Sequence, residues 1–102
     1  MDQFEIVISS RAQSDLAECV GFVLHVSKEA ARKLASDIYS SIESLATLPE
    51  RHPIFRMAKK FPVVVRKCIV NKRYGILYAI ESASVVVYRI LDLRKEFDQL
   101  LF

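Results

Sequence analysis

The sequence predicts an α+β fold: an N-terminal strand, a two-helix hairpin covering one face of an antiparallel sheet, and a short C-terminal helix. Three observations carry this. Apolar residues recur at helical spacing between Ala12 and Ala46. From Phe61 to Leu91 the chain is rich in Val, Ile, Tyr and Phe, broken only by Asn71-Lys72-Arg73 and Ser82-Ala83-Ser84. Both helices fall in one connection between the first strand and the later ones, which places them on the same sheet face.

The elements follow in order. Phe4, Ile6 and Ile8 alternate with Glu5 and Val7, the period of a half-buried strand. Ser10 followed by Gln13 reads as a capping box, so the first helix starts there and runs to about Val26, with Ala12, Leu16, Cys19, Val20 and Val23 as its apolar stripe. Ser27 caps the second helix and Glu29 sits in its positive first turn. Ala31, Leu34, Ala35, Ile38, Ile42, Leu45 and Ala46 form its stripe, and Pro49 closes it. With almost no linker between them, the helices make an antiparallel hairpin. Residues 49–60 carry two prolines and a run of bases without a regular period, and read as an exposed loop. Phe61–Val70, Tyr74–Glu81 and Val85–Leu91 form a three-stranded meander, because their connections are short and polar. Residues 93–101 form a final short helix with Phe97, Leu100 and Leu101 on one side. The first strand joins the sheet beside a later one. The face away from the hairpin is then covered by the last helix or by a partner.

Composition narrows the function. The 102 residues are 52% hydrophobic and 26% charged, which is one globular domain spanning 1–102 rather than a disordered chain. No apolar run is long enough to cross a membrane, and the N-terminus lacks the basic region of a secretory signal, so a cytoplasmic protein is expected. Two cysteines, Cys19 and Cys68, are too few for a disulfide scaffold and read as buried hydrophobes. No His, Cys, Asp or Glu cluster has metal-ligand spacing, and two glycines leave no phosphate-cradling loop, so no metal or cofactor is expected.

The charge is unevenly placed. Residues 1–50 are net −4, residues 51–73 are +8 without a single acid, and residues 74–102 are −1. A dense positive segment focuses its field on polyanions. Arg66 lies inside VVVRKCIV and Arg89 inside VVVYRILDL. Alternation puts Arg66 on the face of Val64, Cys68 and Val70, and Arg89 on the face of Val85, Val87 and Leu91. A guanidinium among β-branched residues needs an acid partner, such as Glu81 or Asp92, or an anionic ligand gripped by its planar fork. Two such arginines on neighbouring strands would share one shallow groove. Lys59 and Lys60 precede the Arg66 strand and would steer an anion or donate protons if desolvated. His25, near the end of the first helix, reads as structural, and His52 as an exposed base with only Glu50 nearby.

The segments AQSDLAECVGFV, SKEAARKLASDIYSSIESLATLPERHP, VVVRKCIV, YGILYAI and VVVYRILDLRK, in this order over about 95 residues, resemble the RelE/ParE superfamily of bacterial type II toxins, in its ParE branch. The resemblance implies a hairpin on a twisted antiparallel sheet and a cognate antitoxin whose acidic or amphipathic segment wraps the toxin. It implies one of two activities. A ParE-like member poisons DNA gyrase and blocks replication, with Arg56, Arg66, Lys67, Arg89 and Arg94 facing the target or the antitoxin. A RelE-like member cuts mRNA on the ribosome without a metal, with Lys59, Lys60, Arg66 and Arg89 as the catalytic charges. Relatives of that second kind often carry a C-terminal tyrosine or histidine. Here Asp92 stands where many have histidine, and no tyrosine or histidine follows Arg89. The gyrase reading is therefore preferred. A non-toxic nucleic-acid-binding module is the third reading.

Overall fold

The computed structural model describes residues 3–56 and 62–95. Strand β1 (Glu5–Ile8) leads into helices α1 (Ser10–Leu24) and α2 (Lys28–Ser44), a 3-10 turn at Pro49–Arg51, strands β2 (Arg66–Val70), β3 (Tyr74–Glu81) and β4 (Ser84–Asp92), and a 3-10 turn at Leu93–Lys95. The sheet order is β1-β4-β3-β2. β1 runs parallel to β4, and the other pairs are antiparallel. The meander and the addition of β1 beside a later strand are as expected, and the sheet is mixed rather than purely antiparallel. Phe61, Lys59, Lys60, and the expected helix residues Phe97, Leu100 and Leu101 lie outside the described residues. Within them, the C-terminal element is a 3-10 turn.

Local chemistry sets the boundaries. The cap of α1 is Ser9, not Ser10: its hydroxyl accepts from the Ala12 N–H at 3.0 Å and donates to the Tyr88 carbonyl at 3.0 Å. Ser9 is extended and Ser10 is already helical, and a cap must lie outside the helix to reach the third N–H. Ser27 caps α2 as expected, accepting from Ala30 N–H at 3.1 Å, with Glu29 in the first turn. In the β2–β3 hairpin, Asn71 and Lys72 both take positive φ (53° and 58°), the hand that matches strand twist.

Between sheet and hairpin lies the main core, with Leu16, Leu34, Ile38, Ile42, Tyr78 and Ile90 at its centre, flanked by Ile6 and Ile8. The second face carries a smaller cluster of Phe55, Val65, Leu77 and Leu91, with Val63 packed against it. That cover comes from the crossing segment before β2. Phe55 N–H donates to Val65 carbonyl (2.7 Å), Lys67 N–H to Pro53 carbonyl (3.0 Å), and Ile54 bridges Arg66.

Strand β4 contains one irregularity that matters for the site. Leu77 is opposite Arg89, yet Tyr78 is opposite Val87, so Tyr88 is an extra residue in the ladder. Such a bulge shifts side-chain parity. Val85 and Val87 join Ile90 in the main core, whereas Leu91 packs in the second cluster. The expectation that Val85, Val87, Arg89 and Leu91 share one face is corrected accordingly.

Candidate functional site

The two in-strand arginines do not share a groove. β3 lies between their strands, and each guanidinium has its own partner. Arg89 is 12% exposed and holds Asp15 of α1, itself 9% exposed: Nε donates to Oδ2 at 2.7 Å and Nη2 to Oδ1 at 3.2 Å. Asp15 Oδ2 also accepts from the Ile90 N–H at 3.0 Å, and Arg11 approaches Oδ1 at 3.5 Å. The geometry follows from topology. β1 ends at Ile8, and Ser9 N–H still donates to Val87 carbonyl. Beyond that point β4 has an uncovered edge, and α1 lays Asp15 against it. The carboxylate thus caps a strand edge and neutralises a half-dry cation. Neither acid expected as its partner serves: Glu81 accepts from the Tyr88 hydroxyl, and Asp92 takes Arg73 (3.6 Å) and Arg94 (3.3 Å).

Arg66 has no acid within its bonding list among the described residues. Its Nη1 donates to the Glu50 carbonyl at 3.1 Å and the His52 carbonyl at 2.7 Å. It therefore ties β2 to the turn that follows α2. Two other groups fasten the same turn. Tyr78 hydroxyl donates to Pro49 carbonyl at 2.5 Å. Arg51 reaches back to the carbonyls of Ser44, Thr47 and Leu48, where cations suit a helix C-terminus. Burial pushes the Tyr78 hydroxyl up to about 12, with Cys68 adding to it. His52 packs edge-on to Tyr78. Burial, then Arg51, pulls its imidazole below the ordinary value, and its Nε2 is enclosed without a partner among the described residues.

The remaining basic residues divide. Lys67 lays its ammonium 4.6 Å over the Phe55 ring. The stem of Lys67 lies alongside Gly75: a Cβ there would meet Leu93 Cδ2 at 3.0 Å and Lys67 Cδ at 3.2 Å. Arg73 faces Asp92 and stacks over Tyr74 at 5.2 Å. Arg56, Lys72 and Arg94 are exposed, and Arg94 also pairs with Asp92. Much of the +8 segment is thus occupied inside the molecule. His25 is the C-cap of α1 and is exposed. Cys68 is buried and Cys19 half-buried. Burial, then Asp92 and Asp15, pushes the Cys19 thiol up to about 11, far from a thiolate nucleophile. Among the described residues no group of three or more His, Cys, Asp or Glu can hold a metal, and no helix is long and apolar enough to cross a membrane.

The residue that sequence reasoning passed over is Asp15. Its signal was available: it sits between Ala12, Leu16 and Cys19 on the apolar side of α1, where a carboxylate needs a partner.

A helical hairpin on one face of a mixed sheet of order β1-β4-β3-β2 defines a small α+β toxin-like fold. A chain of the chromosomal ParDE toxin–antitoxin system of P. aeruginosa has this fold, with a TM-score of 0.71 at 16% identity, over 88% of this chain and 96% of that chain. The ParE toxin family of type II toxin–antitoxin systems matches residues 6–97. The chain belongs to that family and is a toxin of the type II class. No curated protein matches the sequence.

Proposed function

We propose that the protein inhibits growth by binding DNA gyrase and blocking replication, and that a cognate antitoxin segment neutralises it. The observation that carries this over an mRNA-cutting activity is the engagement of the charged groups such chemistry would use. Arg89 is consumed by Asp15, Arg66 by two backbone carbonyls, and Asp92 by Arg73 and Arg94. A cleavage step needs a positioned acid and base beside the reacting phosphate. Arginines already saturated by the fold supply neither. In this reading Arg66 and Arg89 hold the scaffold, and the exposed Arg56 and Arg94, with Lys67, face the target or the antitoxin. An acidic, amphipathic antitoxin segment would pair those cations while covering apolar surface.

The test is a pulse-labelling time course after inducing the protein alone in bacterial cells. Thymidine incorporation falls before uridine and amino-acid incorporation, and purified protein inhibits gyrase supercoiling in vitro. An earlier fall in amino-acid incorporation would transfer the proposal to translation.

A further inference from the structure

The two edges of the sheet are treated differently. The outer side of β2 is taken at residues 65–67 by Pro53 and Phe55, and the segment around it is strongly basic. The outer side of β1 has no such cover. Glu5 and Ser9 donate inward to Ala83 and Val87 of the β4 side, so alternation turns Phe4, Ile6 and Ile8 outward. Phe4 N–H meets the Ala46 carbonyl at 2.8 Å, closing one end. Gln13 Nε2 donates to the Ile8 carbonyl at 3.3 Å, marking the other. Between them, among the described residues, no backbone partner meets the Ile6 N–H, the Ile6 carbonyl or the Ile8 N–H. The strand EIVI has none of the charges, prolines or bulges on its outward positions that normally blunt an edge. On the hairpin side, a cavity of about 520 Å³ adjoins it, lined by Ile8, Gln13, Leu16, Ala17, Val20 and Tyr39. Every residue of that set is uncharged, and Tyr39 is 48% exposed.

We propose that this edge is a self-association surface: a second copy adds its own β1, antiparallel, about a two-fold axis at Val7. The register is what selects a second copy. Centred on Val7, Ile6 of one protomer lies opposite Ile8 of its partner. Ile6 N–H then donates to the partner's Ile8 carbonyl, which keeps a lone pair beside Gln13. The partner's Ile8 N–H donates to the Ile6 carbonyl. The symmetric pair repeats this, and every open outward group is satisfied. Val7, 41% exposed on the other face, meets its own copy in a non-hydrogen-bonded pair, where side chains come closest. Glu5 falls opposite Ser9, so no like charges face each other, although each chain carries +3. The same pairing at β2 would set its basic flanks against themselves. The hairpin grooves of the two copies then lie side by side and extend the apolar contact. An interface of this isologous kind closes as a dimer and does not polymerise. The proposal stands independently of the gyrase reading.

Sedimentation of the full chain over a concentration series tests it. The expected result is a monomer–dimer equilibrium. Val7→Lys, at an exposed position, places two ammoniums on the axis and raises the dimer dissociation constant by about tenfold or more. Its helical circular dichroism stays unchanged. Amide exchange supplies a readout that does not need a variant: the Ile6 and Ile8 N–H groups slow as concentration rises, while that of Ile69, on the opposite edge, does not. A chain that stays monomeric throughout overturns the proposal. So does a dimer in which exchange at Ile6 and Ile8 is unaffected by concentration, or one that Val7→Lys leaves intact.

Discussion

Arg89 is held by a carboxylate and Arg66 by two backbone carbonyls, although both interrupt runs of valine and isoleucine. The difference follows from where each strand sits. β4 is central, and α1 crosses beside it where β1 ends, so a side chain of α1 is available to neutralise the charge. β2 is an edge strand whose neighbour is an irregular turn. A turn has carbonyls to spare, because its backbone is not committed to a ladder. The Arg89 pair is dry and charged, and its members depend on each other. The Arg66 contact fixes a turn that two other side chains also hold. A buried charge with one partner is therefore a point of fragility, and a cation spread over carbonyls is a fastening among several.

Removing Asp15 should break this comparison hardest. Asp15→Ala leaves Arg89 uncompensated and the Ile90 N–H without an acceptor. The expected loss is about 3–5 kcal/mol of unfolding free energy, read from urea denaturation. Asp15→Asn, which keeps an acceptor for Ile90, should lose less. On the Arg66 side, Arg66→Ala should lose only about 1–3 kcal/mol, and the effect should be local. Faster amide exchange around residues 50–52, with little change in the main core, is the signature. A loss as large as that of Asp15→Ala would show that the turn has no redundant fastening.

A smaller effect separates the two serines at the start of α1. Ser9→Ala should cost about 1 kcal/mol, plus the bond to Tyr88, whereas Ser10→Ala should be close to silent. Thermal melts of the two variants decide it. The mildest prediction concerns pH. Tyr78 titrates above its ordinary value of 10.0 in the folded protein, at about 12. Folding therefore favours its neutral form. That contribution is complete below pH 10 and fades as pH rises through 10 to 12. His52 is shifted the other way, below 6.5. The fold again favours the neutral form, so its contribution is present above 6.5 and is lost as pH falls below it. Stability profiles of Tyr78→Phe and His52→Gln should flatten at the alkaline and acid ends respectively.

Most of the fold was legible in the chain. The Ser27 cap, the apolar stripe of α2 and the bounds of β3 at Tyr74–Glu81 were read from local pattern, because each is set by contacts between residues close in sequence. The arginines were legible as anomalies and not as partnerships. Asp15 and Arg89 lie 74 positions apart, and no spacing rule links a helix carboxylate to a strand guanidinium. The Tyr88 bulge was also hidden, since VVVYRILDL alternates well enough to be read straight through.

What the sequence determined alone was therefore the order and type of the elements, the hairpin on one face and the excess of positive charge before β2. These depend on periodicity, capping and turn chemistry, which are local. Tertiary structure decided which charges remain available. Burial makes an unpartnered guanidinium costly, so the fold recruits whatever acceptor topology brings near: an aspartate from α1 for Arg89, a turn for Arg66. It also decided which strand edge was left open, because edge cover depends on where distant segments return, and the chain returns Pro53 and Phe55 to β2 but only Ala46 and Gln13 to the ends of β1.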